Sequence, residues 1–246
     1  MDVIRTPETA SPPQPEPLLT RIWLVLTEPG RAFASIAAAP RWVGAALIVL
    51  LAGVITAEVT MPYAMEARRE AILSSDRLTA EQAERALNQF SVDDGLVPRL
   101  VTGVFAFIGQ GLFMLIVAGV LLFGGNFLLG GDSDFRTVLA VTAHAWLVTV
   151  VKSVIVVPLM LAKGSMSVAT SLQILLPTEQ WTTPLGVLLG ATDLFSLWML
   201  ALLVIGLAAA YSFSRGKVAA LVVTFYVLAT GVSAGLALLF AGMMPS

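Results

Sequence analysis

From Gly186 to Phe213 the chain is apolar except for one charge, Asp193, which sits roughly two turns from the start of the run. About 20 such residues at 1.5 Å each cover the hydrocarbon core of a bilayer, so the segment is long enough to span one. A lone carboxylate at that depth costs several kcal/mol (about 2.5–3.5 on insertion scales) unless it is paired, protonated or turned toward a wet interior. Some other group in the chain has to answer Asp193.

The rest of the sequence has the same solvent in mind. Hydrophobic residues make up 57% and charged residues only 12%, against about a quarter charged in soluble domains, and mean hydropathy is +0.88. This composition defines an integral membrane protein. The 14 basic and 16 acidic residues nearly cancel, which gives no electrostatic footprint for nucleic acid. Cysteine is absent, which excludes disulfides, thiolate metal sites, cysteine nucleophiles and Cys lipidation. With one histidine, His144, no histidine metal centre is expected, and no cofactor motif is present.

Met1 to Pro17 is polar and proline-rich and reads as a disordered tail, without the basic and apolar regions of a cleavable signal. Leu18 to Ala38 then places Leu19, Ile22, Trp23, Leu26, Phe33 and Ile36 at helical spacing around Arg21 and Arg31, with a break at Glu28-Pro29-Gly30. The expectation is an amphipathic interfacial helix with Trp23 at headgroup level; the alternative is the first turns of a buried bundle helix.

Five spans follow, at about 42–63, 100–129, 136–162, 186–213 and 218–243. The first ends at Met61-Pro62-Tyr63, with Glu58 shallow enough to reach the interface. The second is glycine-rich and uncharged, which predicts a central, closely packed helix with Gln110 as an interhelical hydrogen-bond donor. Between them, Ala64 to Pro98 is a polar loop in which Thr79-Ala-Glu-Gln82 forms a capping-box pattern, predicting a helical hairpin over one mouth of the bundle. Ser133 or Asp134 is placed to cap the third span. That span holds His144, Trp146 and a deep lysine, Lys152.

If the third span exits near Ala162 and the fourth re-enters near Gly186, Lys152 lies about 15 Å and Asp193 about 10 Å below the same face, at 1.5 Å per residue. A lysine side chain closes that gap. The prediction is an intramembrane Lys152–Asp193 ion pair, serving either helix registry or function.

The short turns on the N-terminal side are cleanly basic (Arg215, Lys217) or carry one Arg (Arg136), whereas five of the six cations on the other side sit in a loop among Glu66, Glu70, Glu81 and Glu84. This places the N-terminus inside and the C-terminus outside.

Three stretches resemble the Yip family, five-span membrane proteins named for interaction with Rab-type GTPases and also found in bacteria. They are Leu19 to Phe33, Leu128 to Val141, and the Asp193-x-Phe195-x-x-Trp198 helix that continues to Gly206-Leu207 and the Ser212 to Ala219 turn. The resemblance implies an all-α polytopic bundle and a non-enzymatic adaptor or organiser working through protein or lipid contacts. A bacterial inner membrane would place the N-terminus in the cytoplasm and the C-terminus in the periplasm.

Expected partners are membrane lipids and another membrane protein or a second copy, the latter through Gly231-x-x-x-Gly235. The competing reading is a small transporter or permease component in which Lys152, Asp193, Gln110 and His144 line one polar path. An intramembrane enzyme is the third reading. It lacks a His-Glu-x-x-His pair, a Gly-x-Ser-x-Gly turn and a second deep carboxylate to complete an aspartyl dyad, although Gly190-Ala-Thr-Asp193 faintly resembles such a motif. No catalytic residue is assigned.

Overall fold

The computed structural model describes residues 17–74, 78–89, 95–164, 171–177 and 183–243. The tail expected over residues 1–17 lies, but for its last residue, outside them. Among the described residues every element is helical apart from one isolated bridge, and five helices are long and apolar enough to cross a membrane: Val43–Glu70, Leu96–Leu128, Phe135–Lys163, Leu194–Tyr211 and Arg215–Ser233.

Helices α1 (Leu18–Thr27) and α2 (Pro29–Ala38) are separated at Glu28 because Pro29 cannot continue α1 but suits the first turn of α2. Their outer face is what an interfacial helix requires, with Leu19 and Trp23 exposed. Their inner face is part of the core. Val25, Ala32, Phe33 and Ile36 have no exposed surface, and α2 packs along the later helix Leu194–Tyr211. Arg21, expected on the polar face, is buried as well and donates from Nη1 to the Ala39 carbonyl at 3.2 Å. A guanidinium at the end of α2 meets carbonyls with no helical partner, where a cation is favoured.

Helix α3 (Val43–Leu73) runs straight through Pro62, where the sequence suggests an end. Its 31 residues amount to about 46 Å of helix against a core of about 30 Å. It therefore carries its last turns out of the membrane, where α4 (Ala80–Gln89) folds back on it. The capping box of α4 forms reciprocally: Thr79 N–H donates to Gln82 Oε1 at 2.9 Å, and Gln82 N–H donates to Thr79 Oγ1 at 3.3 Å.

Helix α5 (Leu96–Phe123) ends in a π-helical turn, Gly124–Leu128. Contrary to expectation it is peripheral. Leu100, Phe105, Ile108, Leu112 and Ile116 are exposed, and a Cβ at Gly109 or Gly119 would meet nothing within 4 Å. Glycine lets helices approach, but here those glycines face away from the protein. The useful ones are at its end, where Gly125 accepts the Tyr211 ring and Gly124 the Phe225 ring.

The third span begins at Asp134, whose carboxylate accepts from Thr137 N–H and Thr137 Oγ1, both at 2.8 Å. These bonds to Thr137 hold its carboxyl below the usual carboxylate value. The span is broken at Trp146 into α6 (Phe135–Ala145) and α7 (Leu147–Lys163). The expected fourth span is likewise two pieces, α8 (Pro184–Ala191) and α9 (Leu194–Tyr211), before α10 (Arg215–Met243) completes the bundle. The centre is α9, which touches α2, α6, α7 and α10.

The three Yip-like stretches meet at Gly206 on α9. A Cβ there would lie 2.5 Å from Val141 Cγ1 on α6 and 2.8 Å from Phe33 Cδ1 on α2. Close approach of three helices at one glycine is how a bundle in lipid gains packing, since apolar burial alone drives little association there.

A candidate intramembrane site at the broken fourth span

Breaking a helix inside a bilayer frees backbone groups that lipid cannot satisfy, so the break has to be answered by protein. At Thr192-Asp193 several of the freed groups find partners among the described residues. Asp193 adopts an extended conformation as the N-cap of α9, and its Oδ1 accepts from Ser196 N–H at 2.7 Å and from Ser196 Oγ at 2.9 Å. The Thr192 carbonyl accepts from Leu172 N–H at 2.8 Å, and Ser171 bridges Asp193 in antiparallel fashion. From the opposite side, Tyr226 on α10 donates its hydroxyl to the Ala191 carbonyl at 3.0 Å and lies 3.1 Å from Thr192 Oγ1.

Asp193 Oδ2, the oxygen left over, receives Lys152 Nζ from α7. The lysine side chain remains 40% exposed while that of Asp193 is 7% exposed. One carboxylate thus closes a helix end and holds a cation from a neighbouring helix. With a charge-assisted pair and two further hydrogen bonds, its lone pairs are largely accounted for, which is the condition for tolerating a buried charge.

The Leu172–Leu175 single turn lies against α8, where Gln173 Oε1 would be 3.1 Å from a Cβ at Gly190. Residues 171–177 therefore cover the break from the loop side. Ile174 and Leu175 on this turn are exposed.

The other polar residues singled out from sequence are elsewhere. Gln110 packs on the backbone of Gly53 between α5 and α3, its Oε1 2.2 Å from where a Cβ at Gly53 would lie. His144 is fully buried on α6, with Nδ1 2.8 Å from the Ala140 carbonyl and Nε2 without a hydrogen-bond partner among the described residues. Hydrogen bonds among the described residues tie the ion pair to Ser196, not to Gln110 or His144. Phe195 and Trp198 pack on the core beside the pair. Among the described residues no group of three or more His, Cys, Asp or Glu is gathered to hold a metal ion.

Tyr226, Thr192 and Ser196 were not singled out from sequence. The signal was there for two of them: Thr192-Asp193-x-x-Ser196 following Gly190-Ala191 is an N-cap pattern inside an apolar run.

Compared with known protein families, the chain matches the Yip1 domain over residues 23–238. No curated protein and no solved structure matches it.

Proposed function

The chain belongs to the Yip1 domain family, and on that premise we propose that it is a non-enzymatic membrane adaptor or organiser that presents a rigid extramembrane platform to a protein partner. The observation that carries this reading is the overrun of α3. Its outer turns expose Glu66, Arg68, Arg69 and Glu70 on a helix continuous with a membrane span, braced by the capped helix α4. A groove of about 380 Å³ between the two, lined by Met65, Glu66, Arg69 and Leu87, mixes charged and apolar surface. Surfaces with an apolar centre and charged rim suit reversible protein contacts.

The proposed location is a bacterial inner membrane, with α1 and α2 on the cytoplasmic side. Supporting this, Arg41, Arg136, Arg215 and Lys217 are exposed at that end of the bundle, with Arg136 Nε bound to the Pro40 carbonyl at 3.1 Å.

The test is site-specific photocrosslinking in native membranes from Arg69 and Glu84, with lipid-facing Leu112 as control. A discrete protein adduct from the platform positions and none from Leu112 supports the reading. Absence of any protein adduct at both platform positions overturns it.

The half-exposed Lys152 favours a second reading, a permease component using the Lys152–Asp193 pair. Under it, proteoliposome flux would fall on Lys152→Met; under the adaptor reading no flux is present to lose.

A further inference from the structure

A cleft of about 620 Å³ opens on the side of the bundle between α5 and α10, with α9 behind it and α8 at one end. Its walls are apolar: Ile116 and Val120 on α5, Leu200 and Leu203 on α9, Val222 and Phe225 on α10. The two flanking helices are pinned together below it. There a Cβ at Gly124 would lie 2.4 Å from Phe225 Cε2, and Lys217 Nζ donates to the Leu129 carbonyl at 2.8 Å. Above that pin they diverge.

Helical rise converts the lining residues into depth. Val222 lies about 8 Å and Ser233 about 24 Å along α10 from Lys217, at 1.5 Å per residue. The cleft is therefore about 16 Å long, close to half of a hydrocarbon core of about 30 Å, and its upper end approaches the boundary on the α4 side.

None of the described residues fills it, and neither vacuum nor water suits it. An empty space of this size forfeits dispersion contacts on every lining side chain. Water needs several polar partners, yet of the three hydroxyls here Tyr226 already donates to the Ala191 carbonyl and Ser233 to the Ala229 carbonyl at 2.8 Å, which leaves Thr230 as a single polar contact in an apolar cleft.

We propose that this cleft is a lipid site holding an acyl chain of a phospholipid from the leaflet on the α4 side. The chain enters sideways from the bilayer, lies along α9 and ends against the Gly124–Phe225 contact. Length, apolarity and lateral opening all match a hydrocarbon chain of one leaflet.

Trp146, 7% exposed, lines the cleft and packs at a tilt against Phe113, ring centroids 5.7 Å apart, so it reports on occupancy. In a variant with Trp23, Trp42, Trp181 and Trp198 replaced by Phe, reconstituted into phosphatidylcholine brominated in mid-chain, Trp146 fluorescence should be quenched. Filling the cleft with Ala191→Leu and Ala229→Phe should remove more than half of that quenching, while Leu112→Phe on the outer face of α5 leaves it unchanged. Independently, native mass spectrometry of the otherwise unaltered chain should show one retained phospholipid that the filled variant lacks; this decides the matter if the single-tryptophan variant fails to fold. Quenching that filling leaves intact, a retained-lipid count unaltered by filling, or a lipid-free dimer formed across this face would overturn the proposal.

Discussion

Replacing Gly206 with alanine adds one methyl at the point where α2, α6 and α9 converge. The new Cβ would lie 2.5 Å from Val141 Cγ1, 2.8 Å from Phe33 Cδ1 and 3.0 Å from Phe33 Cε1, inside the distance at which carbon atoms attract. Neither neighbour has room to yield, because Val141 and Phe33 are both without exposed surface. Inserting a methyl into a packed core typically costs about 1–3 kcal/mol. At the midpoint this corresponds to a fall in Tm of roughly 4–8 °C for a chain of this size, taking about 2 kcal/mol. The relief is specific: Val141→Ala removes the nearer obstacle, so the double variant should be more stable than Gly206→Ala alone. Thermal unfolding of purified protein in mild detergent reads both. A silent Gly206→Ala, or one that Val141→Ala worsens additively, would refute the three-helix contact.

Two further outcomes follow from single hydrogen-bond sets. Asp134→Ala should cost about 1 kcal/mol as a lost N-cap; because the native carboxyl lies below its ordinary value of 3.8, the advantage over alanine should be full above that pH and vanish as pH falls through the lower native value, as denaturation followed against pH would show. Tyr226→Phe leaves the Ala191 carbonyl without the donor it has in the native chain, and loss of about 1–3 kcal/mol should appear as faster amide exchange around Leu194–Ser196, with little change in α6.

Most of the architecture was legible because lipid imposes a coarse rule. Long uncharged runs have to be helices, and the five runs are the five spans. Asp193 and Lys152 were legible for the same reason, since two isolated charges at similar depth have few partners other than each other. Side-chain periodicity does not show where a backbone breaks inside such a run, and so the interruptions at Trp146 and Thr192 went unread. At Thr192 the stabilising groups come from Leu172 and Tyr226, which are distant in sequence. Pro62 misled in the opposite direction, because a proline removes one helical N–H and kinks or breaks a helix without always ending it, and α3 continues through it to Leu73. Glycine content misplaced α5 at the centre, since a glycine records that close approach is allowed and not that a neighbour is present. The burial of Arg21 rests on the Ala39 carbonyl at the end of α2, a contact that no pattern within α1 contains.

Asp193 caps α9 and neutralises Lys152, forming a structural pin between the third and fourth spans. A double-mutant cycle on unfolding stability, using Lys152→Met, Asp193→Asn and the pair together, tests it most directly. Asparagine still accepts from Ser196 but leaves Lys152 uncompensated, so the single Asp193→Asn should be costly; because the lysine side chain is 40% exposed, the loss should fall below about 3–5 kcal/mol, the cost of a fully buried unpaired charge. The double variant should recover a coupling energy of about 0.5–3 kcal/mol. Strictly additive losses would contradict the pin and leave the two residues as independent features of the membrane domain.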